Sequence, residues 1–180
     1  MIIALAGRRV DALDAEPARF PSTPESLETV RKRILALLQA NRASALVSSA
    51  ACGADLLALS VAGALGVRRM IVLPFAREKF RETSVTDRPG HWGSLYDTIL
   101  DDVQKAGDLQ ILNLKSEEHA YAETNHVIVD EAVSLSQKLQ VPVSAVLVWD
   151  GNSRGKGDFT EEFRTYARSK NVAVIEVMTL

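Results

Sequence analysis

Short apolar runs alternate with longer amphipathic stretches along the chain. Six of these runs have the length and composition of buried parallel strands, and they lie at 2–6, 45–47, 68–74, 109–114, 143–149 and 172–177. Capping signals, glycines and apolar residues at helical spacing predict helices at 24–40, 55–66, 92–106, 119–140 and 160–169. Residues 76–93 are rich in charge, proline and glycine, which predicts a short helical turn followed by a loop.

Strands and helices that alternate at this spacing predict an α/β protein. We expect a single doubly wound, Rossmann-like parallel sheet of about six strands with helices on both faces. No repeat, low-complexity tract or linker divides the chain, so residues 1–180 are expected to form one domain. We expect the strand order 3-2-1-4-5-6, which would place the crossover point between the first and fourth strands.

A loop of small residues links the second predicted strand to its helix. Residues 48–53 read SSAACG, and Asp55 opens the helix. Small side chains let a ligand approach the backbone, and the N–H groups and dipole of a helix N-terminus favour an anion, most often a phosphate. Asp55 is explained equally well as a contact to a ribose or a backbone amide and as a partner of its own helix dipole. Cys52 is best explained as a small buried filler.

Glycines and basic residues also follow the first and fifth predicted strands. The sequence GRR stands at 7–9, and the loop at 151–160 contains GKG directly before a helix. Because ligands bind at the carboxyl ends of parallel strands, we expect these loops to meet at one edge of the sheet. Neither loop is a Walker sequence or a GxGxxG fingerprint, which disfavours a classical NAD(P) dehydrogenase. Asp150 is the best acidic candidate for contact with a ligand hydroxyl, although it can also simply form a turn.

The predicted ligand-binding residues come from the loops after four strands. They are Gly7, Arg8, Arg9, Ala51, Gly53, Ala54, Asp55, Pro74, Asp150, Gly151, Gly155, Lys156, Gly157 and Thr160. His91, His119 and His126 have no metal-ligand spacing, so we expect no metal site, and we expect no cofactor. Glu123 and Asn125 either face the pocket or cap a helix.

The composition is ordinary for a soluble globular protein. The chain has 180 residues, of which 47% are hydrophobic and 24% charged, and its net charge is −2. A slightly acidic chain has no global positive field, so we expect neither nucleic acid nor a membrane as a partner. A single cysteine excludes an internal disulfide and, together with the lack of a signal peptide or an apolar span, leads us to expect a cytoplasmic location.

The order and spacing of these motifs resemble those of the SLOG superfamily. The matching pieces are ALAGRRVDA after the first strand, VSSAACGADLLAL at the second junction, VLPF followed by FRETSV, and VLVWDG to GKGDFT at the fifth strand. The superfamily is a Rossmann-like nucleotide-binding fold shared by the DNA-processing protein A family and the lonely-guy phosphoribohydrolases. The resemblance covers nearly the whole chain and implies a pocket for a nucleotide-derived small molecule. It is compatible with a homodimer and with a fused or separate effector domain.

The same resemblance bears on whether the ligand is turned over. The hydrolase branch looks like PGGxGTxxE with a catalytic glutamate, whereas this chain has no PGG, and Phe163 stands three positions after Thr160. We therefore expect binding or sensing of a nucleotide or nucleotide-derived ligand without turnover. The alternative is an N-glycosidic hydrolase acting on a nucleoside monophosphate or a related nucleotide, with Asp150, Asp158 and Glu161 as catalytic candidates. A third interpretation is a scaffold with a vestigial pocket.

Overall fold

The computed structural model describes residues 1–115 and 117–180, and strands and helices alternate along them. The strands are β1 (Ile2–Gly7), β2 (Ala45–Ser48), β3 (Arg68–Leu73), β4 (Leu109–Ile111), β5 (Val143–Trp149) and β6 (Ala173–Met178). The helices are α1 (Pro24–Ala40), α2 (Ala54–Ala64), α3 (Arg77–Ser84), α4 (Trp92–Lys105), α5 (His119–Leu139) and α6 (Phe159–Ser169). In this described part of the chain, no helix is both long and apolar enough to cross a membrane.

The six strands form one parallel sheet in the order β4-β3-β2-β1-β5-β6. The prediction of an α/β fold with a parallel, Rossmann-like sheet is confirmed. The predicted strand order 3-2-1-4-5-6 is wrong, because β4 lies beyond β3 at the edge and the chain crosses over between β1 and β5. The alternating pattern shows that the strands are parallel, but it does not show which helix makes the crossing. Here that helix is α5, which packs on β1, β2 and β3.

Helices cover both faces of the sheet, as predicted. On β1, Ile3 and Leu5 face a core shared with α1, α2 and α4, whereas Ile2 and Ala4 face a second core shared with α5 and α6. Successive side chains of a strand point to opposite faces, so a strand buried on both sides has to be apolar throughout. This explains the unbroken apolar run at the start of the chain.

Local signals account for some of the helix ends. Thr23 caps α1 by accepting the N–H of Ser26 at 3.2 Å, and α2 is followed by Gly66 with a φ of +70°, as expected of a glycine after a helix. The segment predicted as one helical turn is longer and forms α3, whose Phe80 is buried in the core. The fourth strand is shorter than predicted: β4 is an edge strand of three residues that pairs with β3 alone.

Candidate functional site

A cavity of about 490 Å³ opens beside the carboxyl ends of β1 and β2, next to the crossover between β1 and β5. Five segments that are distant in sequence build its wall: the end of β1 with the loop after it, the β2–α2 junction, α3 with the residues after it, the first half of α5, and the start of α6. Open parallel sheets bind ligands at such crossover points, and small-molecule sites have volumes of roughly 300 to 1,000 Å³.

Glycines let two backbone segments touch beside this cavity. The N–H of Ala54 donates to the carbonyl oxygen of Arg8 at 3.1 Å. A Cβ on Gly53, whose φ is +96°, would lie 2.7 Å from the nitrogen of Val10, and a Cβ on Gly7 would lie 2.5 Å from the Cβ of Ala54. The small residues of these loops therefore allow the loops to pack together, and the amide of Ala54 is already bonded within the protein.

Arg8 is buried in a network of ion pairs. Its Nε lies 3.1 Å from Oδ1 of Asp150, and its Nη1 lies 2.6 Å from Oδ1 of Asp158. The other oxygen of Asp150 pairs with Arg19 at 2.8 Å. Burial by itself would raise the pKa of Asp158, but hydrogen bonds from Arg8 and from backbone amides hold that pKa below its ordinary value. The Arg8 guanidinium is thus bound by two carboxylates of the protein itself.

The start of α6 is capped by a side chain of the protein. Asp158 accepts the N–H groups of Thr160 at 3.1 Å and Glu161 at 3.3 Å, and also that of Arg154 at 2.7 Å. The GKG sequence at 155–157 predicts a phosphate cradle at this helix end. In the structure, the Asp158 carboxylate accepts hydrogen bonds from the backbone amides that such a phosphate would use.

The structure brings half of the predicted ligand-binding residues to the cavity wall. Those on the wall are Gly7, Arg8, Arg9, Ala51, Asp55, Gly157 and Thr160, together with the catalytic candidate Asp158. Those outside it are Gly53, Ala54, Pro74, Asp150, Gly151, Gly155 and Lys156, together with the catalytic candidate Glu161. Lys156 borders a shallow surface depression instead, and Glu161 pairs with Arg164 at 2.6 Å.

Asp55 places a buried carboxyl group on the cavity wall. The residue is 6% exposed, its Oδ2 accepts the N–H of Ala51 at 3.2 Å, and its Oδ1 has no hydrogen-bond partner among the described residues. Burial raises the pKa of Asp55 to about 7, although the Ala51 amide and the charge of Arg9 act in the opposite direction. The hydroxyl oxygen of Ser49, also on the wall, is likewise buried with no partner in residues 1–115 and 117–180.

Three arginines give the cavity a positive side. Arg9 pairs with Asp87 at 2.7 Å, and about a third of its side chain stays exposed. Arg88 lies 3.7 Å from the same carboxylate, and its Nε is buried without a hydrogen bond to any described residue. Partial desolvation and the positive charge of Arg8 lower the pKa of Arg154. A bound anion would relieve this crowding of positive charge, so the wall suits a phosphate group.

Aromatic side chains form a further part of the wall. Phe80 on α3, Tyr121 on α5 and Phe159 at the start of α6 all line the cavity, and the ring centroids of the last two lie 5.6 Å apart. Such rings offer a flat apolar surface on which a planar group can pack. Asn125 donates to the carbonyl oxygen of Phe159 at 2.8 Å, which ties α5 to the start of α6.

The sequence pattern does not reveal what α3 and α5 contribute to this wall. Phe80, Tyr121 and Thr124 look like ordinary helix positions, and Arg88 lies in a generally charged segment. Tyr121 and Thr124 reach the cavity because α5 covers the sheet beside the crossover. The place of α5 follows from the strand order, which the sequence pattern does not reveal. A signal was present for Asn125, whose interpretation as facing the pocket agrees with its place on the wall.

Metal and thiol chemistry find no support in the described residues, 1–115 and 117–180. No three or more histidine, cysteine, aspartate or glutamate side chains among them are grouped to hold a metal ion. Cys52 is fully buried, and this burial raises its pKa to about 12, which makes the thiol unreactive. Its interpretation as a core filler fits both observations.

Comparison with known proteins yields a single distant likeness. No protein-family model matches the chain, and no curated protein matches it. Among solved structures, the chain is similar to the X-ray structure of DNA processing protein A (DprA) from Streptococcus pneumoniae, with a TM-score of 0.45 and 12% sequence identity. The likeness covers 97% of this chain and 58% of that one, so this chain spans little more than half of its neighbour. A likeness of this degree concerns the fold relationship and not activity.

One expectation about partners is corrected by this finding. The sequence analysis expects no nucleic acid as a partner, because the net charge is −2. The neighbour is a DNA processing protein, which contradicts that expectation. The physical reason is that net charge averages over the whole surface, whereas the arginines described above concentrate positive charge in one place.

Proposed function

We propose that the chain is a SLOG-type module that binds or senses a nucleotide or nucleotide-derived small molecule in this cavity, without turning it over. One observation carries the proposal. A cavity of about 490 Å³ at the crossover of a parallel sheet combines an arginine-rich side, an aromatic wall and buried oxygens without partners. A phosphate, a base and a polar sugar need these three kinds of surface.

The phosphate would be held by side chains, not by a helix end. Arg9, Arg88 and Arg154 reach the cavity, whereas Asp158 caps α6 and the Arg8 carbonyl binds an amide at the start of α2. Guanidinium groups bind phosphate through paired N–H donors, which gives both charge and direction. The base would then pack against Tyr121 and its aromatic neighbours.

The state of the carboxylates favours binding without turnover. Asp150 and Asp158 are both paired with Arg8, and Glu161 is paired with Arg164 outside the cavity. A carboxylate held in this way is not free to approach a sugar, and the lowered pKa of Asp158 makes that group a poor proton donor. None of the three carboxylates that the sequence suggests for catalysis is therefore well placed to act.

The hydrolase remains the second candidate because of Asp55. Its carboxyl group lines the cavity, and burial raises its pKa to about 7, close to the value that a general acid needs at neutral pH. A carboxylic acid beside the leaving base could assist cleavage of an N-glycosidic bond. In this reading Asp55 takes the place of Asp150, Asp158 and Glu161 as the catalytic group.

The remaining expectations about the whole protein stay part of this proposal. We expect residues 1–180 to act as one domain, because both cores share the same sheet. A sensor also requires something that reads its occupied state, either a fused or separate effector domain or a second copy of the chain. A cytoplasmic location would give access to free nucleotides.

A thermal-shift screen with chromatography of the same samples tests the function. The panel is AMP, GMP, ADP-ribose, NAD, cyclic nucleotides and a short single-stranded oligodeoxynucleotide. A ligand at about a hundredfold its Kd adds about 2.7 kcal/mol, which raises the Tm by roughly 5 to 10 °C for a chain of this size. We expect such a shift without release of free base.

Two variants make the screen specific for the cavity. Arg9→Ala should abolish most of the shift, whereas Arg68→Ala, which removes an ion pair with Asp108 outside the cavity, should leave it unchanged. Release of free base would favour the hydrolase, and its loss in Asp55→Asn would identify the acid. No shift with any compound would support the scaffold interpretation and contradict our proposal.

A further inference from the structure

Two residues on the cavity wall each have one buried side-chain oxygen, and these two oxygens have no partner within the described chain. They are Oδ1 of Asp55, whose side chain is almost fully buried, and Oγ of Ser49 on the preceding loop. Buried polar atoms in folded proteins nearly always have a hydrogen-bond partner, since leaving one unsatisfied is costly. Where two such atoms lie on the wall of one cavity, the missing partners are most simply supplied by a ligand.

The contacts of Asp55 within the described chain do not explain why a carboxyl group is buried at this position. Within residues 1–115 and 117–180, its second oxygen accepts the Ala51 amide alone, at 3.2 Å. Arg9 is the cation whose charge acts on Asp55, yet Arg9 directs its Nη1 to Asp87 and to the carbonyl oxygen of Thr83. A carboxyl group is thus held out of water beside a cavity without a salt-bridge partner, which destabilises the unliganded protein.

We propose that Asp55 and Ser49 form a subsite that accepts hydrogen bonds from the hydroxyl groups of a ribose, so that the cavity selects ribonucleotides over deoxyribonucleotides. The inference rests on the proposed function and specifies its ligand class. Vicinal ribose hydroxyls are two adjacent donors, and the two free oxygens are acceptors. The sugar of a nucleotide lies next to its phosphate, and Asp55 lies within the electrostatic influence of Arg9, the cation assigned to that phosphate.

Calorimetric titration with matched sugars tests this subsite. AMP, GMP, CMP and UMP are each compared with the 2′-deoxy counterpart at pH 8, and AMP is also compared with 3′-deoxy-AMP. We expect the ribose form to bind roughly ten- to hundredfold more tightly, as befits a lost hydrogen bond to a charged group. Asp55→Asn should reduce that ratio to a few-fold, mainly by weakening binding of the ribose form, and Ser49→Ala should reduce it in part.

Matched controls separate recognition from folding. Asp55→Asn keeps the shape of the side chain and removes a buried charge, so the variant should remain folded. Asp101→Asn changes an exposed carboxylate of α4 that pairs with Arg77 away from the cavity, and the ratio should be unchanged in that variant. The Tm of each variant without ligand verifies its fold.

The pH dependence of the ribose-to-deoxyribose affinity ratio is a further test, because a purely structural role of Asp55 would not change this ratio. The charged and titratable groups near Asp55 are Arg9 on the loop after β1, Cys52 on its own loop, and Asp87 with Arg88 before α4. Ionised Asp55 accepts from a hydroxyl more strongly than the protonated group does, so the ribose-to-deoxyribose ratio should fall between pH 8 and pH 5.5. Both sugars carry the same phosphate, so ionisation of the phosphate cancels in the ratio. Asp55→Asn should show a ratio independent of pH.

The outcomes distinguish this inference from the function on which it rests. Equal affinity for ribose and deoxyribose forms, or a ratio that rises on acidification, would overturn the subsite and leave nucleotide binding intact. Recognition of a base edge by Asp55 would give the first of these results. Failure of every nucleotide to bind, whatever its sugar, would overturn the proposed function and the subsite together.

Discussion

The guanidinium of Arg8 joins segments of the chain that are 142 and 150 residues apart in sequence. Its partners Asp150 and Asp158 are themselves buried, one at the end of β5 and the other at the cap of α6. From the sequence, an arginine after a strand indicates a ligand phosphate. The structure adds two carboxylates that occupy this arginine, and no local pattern could reveal partners so distant. The same cation therefore links β1 to the segments that complete the cavity.

We predict that Arg8→Met destabilises the fold by about 3 to 5 kcal/mol, because it leaves the buried carboxylate of Asp158 without its cation and that of Asp150 with Arg19 alone. Urea denaturation measures this loss as a lower midpoint. Arg68→Met removes a partly exposed ion pair with Asp108 and should cost about 1 kcal/mol or less. Adding Asp158→Asn to Arg8→Met should recover part of the loss, because the unpaired charge of Asp158 is then removed.

Weak destabilisation by Arg8→Met, together with a large loss of nucleotide affinity, would contradict this structural role. Such a result would indicate that Arg8 contacts the ligand, as its position after a strand predicts. Arg8→Lys gives an intermediate test, since lysine keeps the charge but cannot hold two carboxylates with a planar fork of donors.

At the scale of the elements, the sequence predicts what short-range order controls. The apolar runs identify all six strands, and Thr23 and Gly66 identify helix ends correctly. The predicted strand order is wrong, because the order depends on which helix covers the central strands. The candidate site is likewise predicted only in part. The loops after β1 and β2 are found from the sequence, whereas the contributions of α3 and α5 require the crossover to be known.

Gly53 is the position where the β2–α2 junction depends most on a glycine. Its φ is +96°, and an added Cβ would lie 2.7 Å from one backbone nitrogen and 2.8 Å from one backbone oxygen. Gly66 offers a matched comparison, because its φ is +70° while the space around it is open. We predict that Gly53→Ala costs at least about 2 kcal/mol and Gly66→Ala only about 1 kcal/mol, since the second change adds backbone strain alone.

Thermal unfolding of the two variants without ligand measures this difference directly. Equal losses would mean that the backbone approach between the loop after β1 and the start of α2 adjusts freely, contrary to the packing described above. The comparison also bears on the cavity. A shifted α2 would move Asp55, so nucleotide binding should weaken in Gly53→Ala and remain in Gly66→Ala.

At the scale of the whole molecule, the cavity exists only when five distant segments come together. The chain has a net charge of −2, yet five arginines line this one cavity. Net charge therefore describes the average surface and does not predict the character of the site. The two hydrophobic cores lie on opposite faces of the sheet. Each fixes the helices of one face, and the cavity lies where elements of both faces meet at the edge of the sheet.

Hydrogen exchange with and without AMP at about a hundredfold its Kd tests this assembly. A ligand that contacts all five segments opposes every local opening that disrupts the site, by about 2.7 kcal/mol, so exchange through those openings should slow up to about a hundredfold. We predict slower exchange at 8–19, 49–55, 80–88, 121–128 and 154–160 together, with the C-terminal end of α1 at 36–40, which lies outside the cavity, unchanged. Protection confined to the surface around Lys156 would instead place the ligand in the shallow depression there, and would contradict nucleotide binding in the cavity.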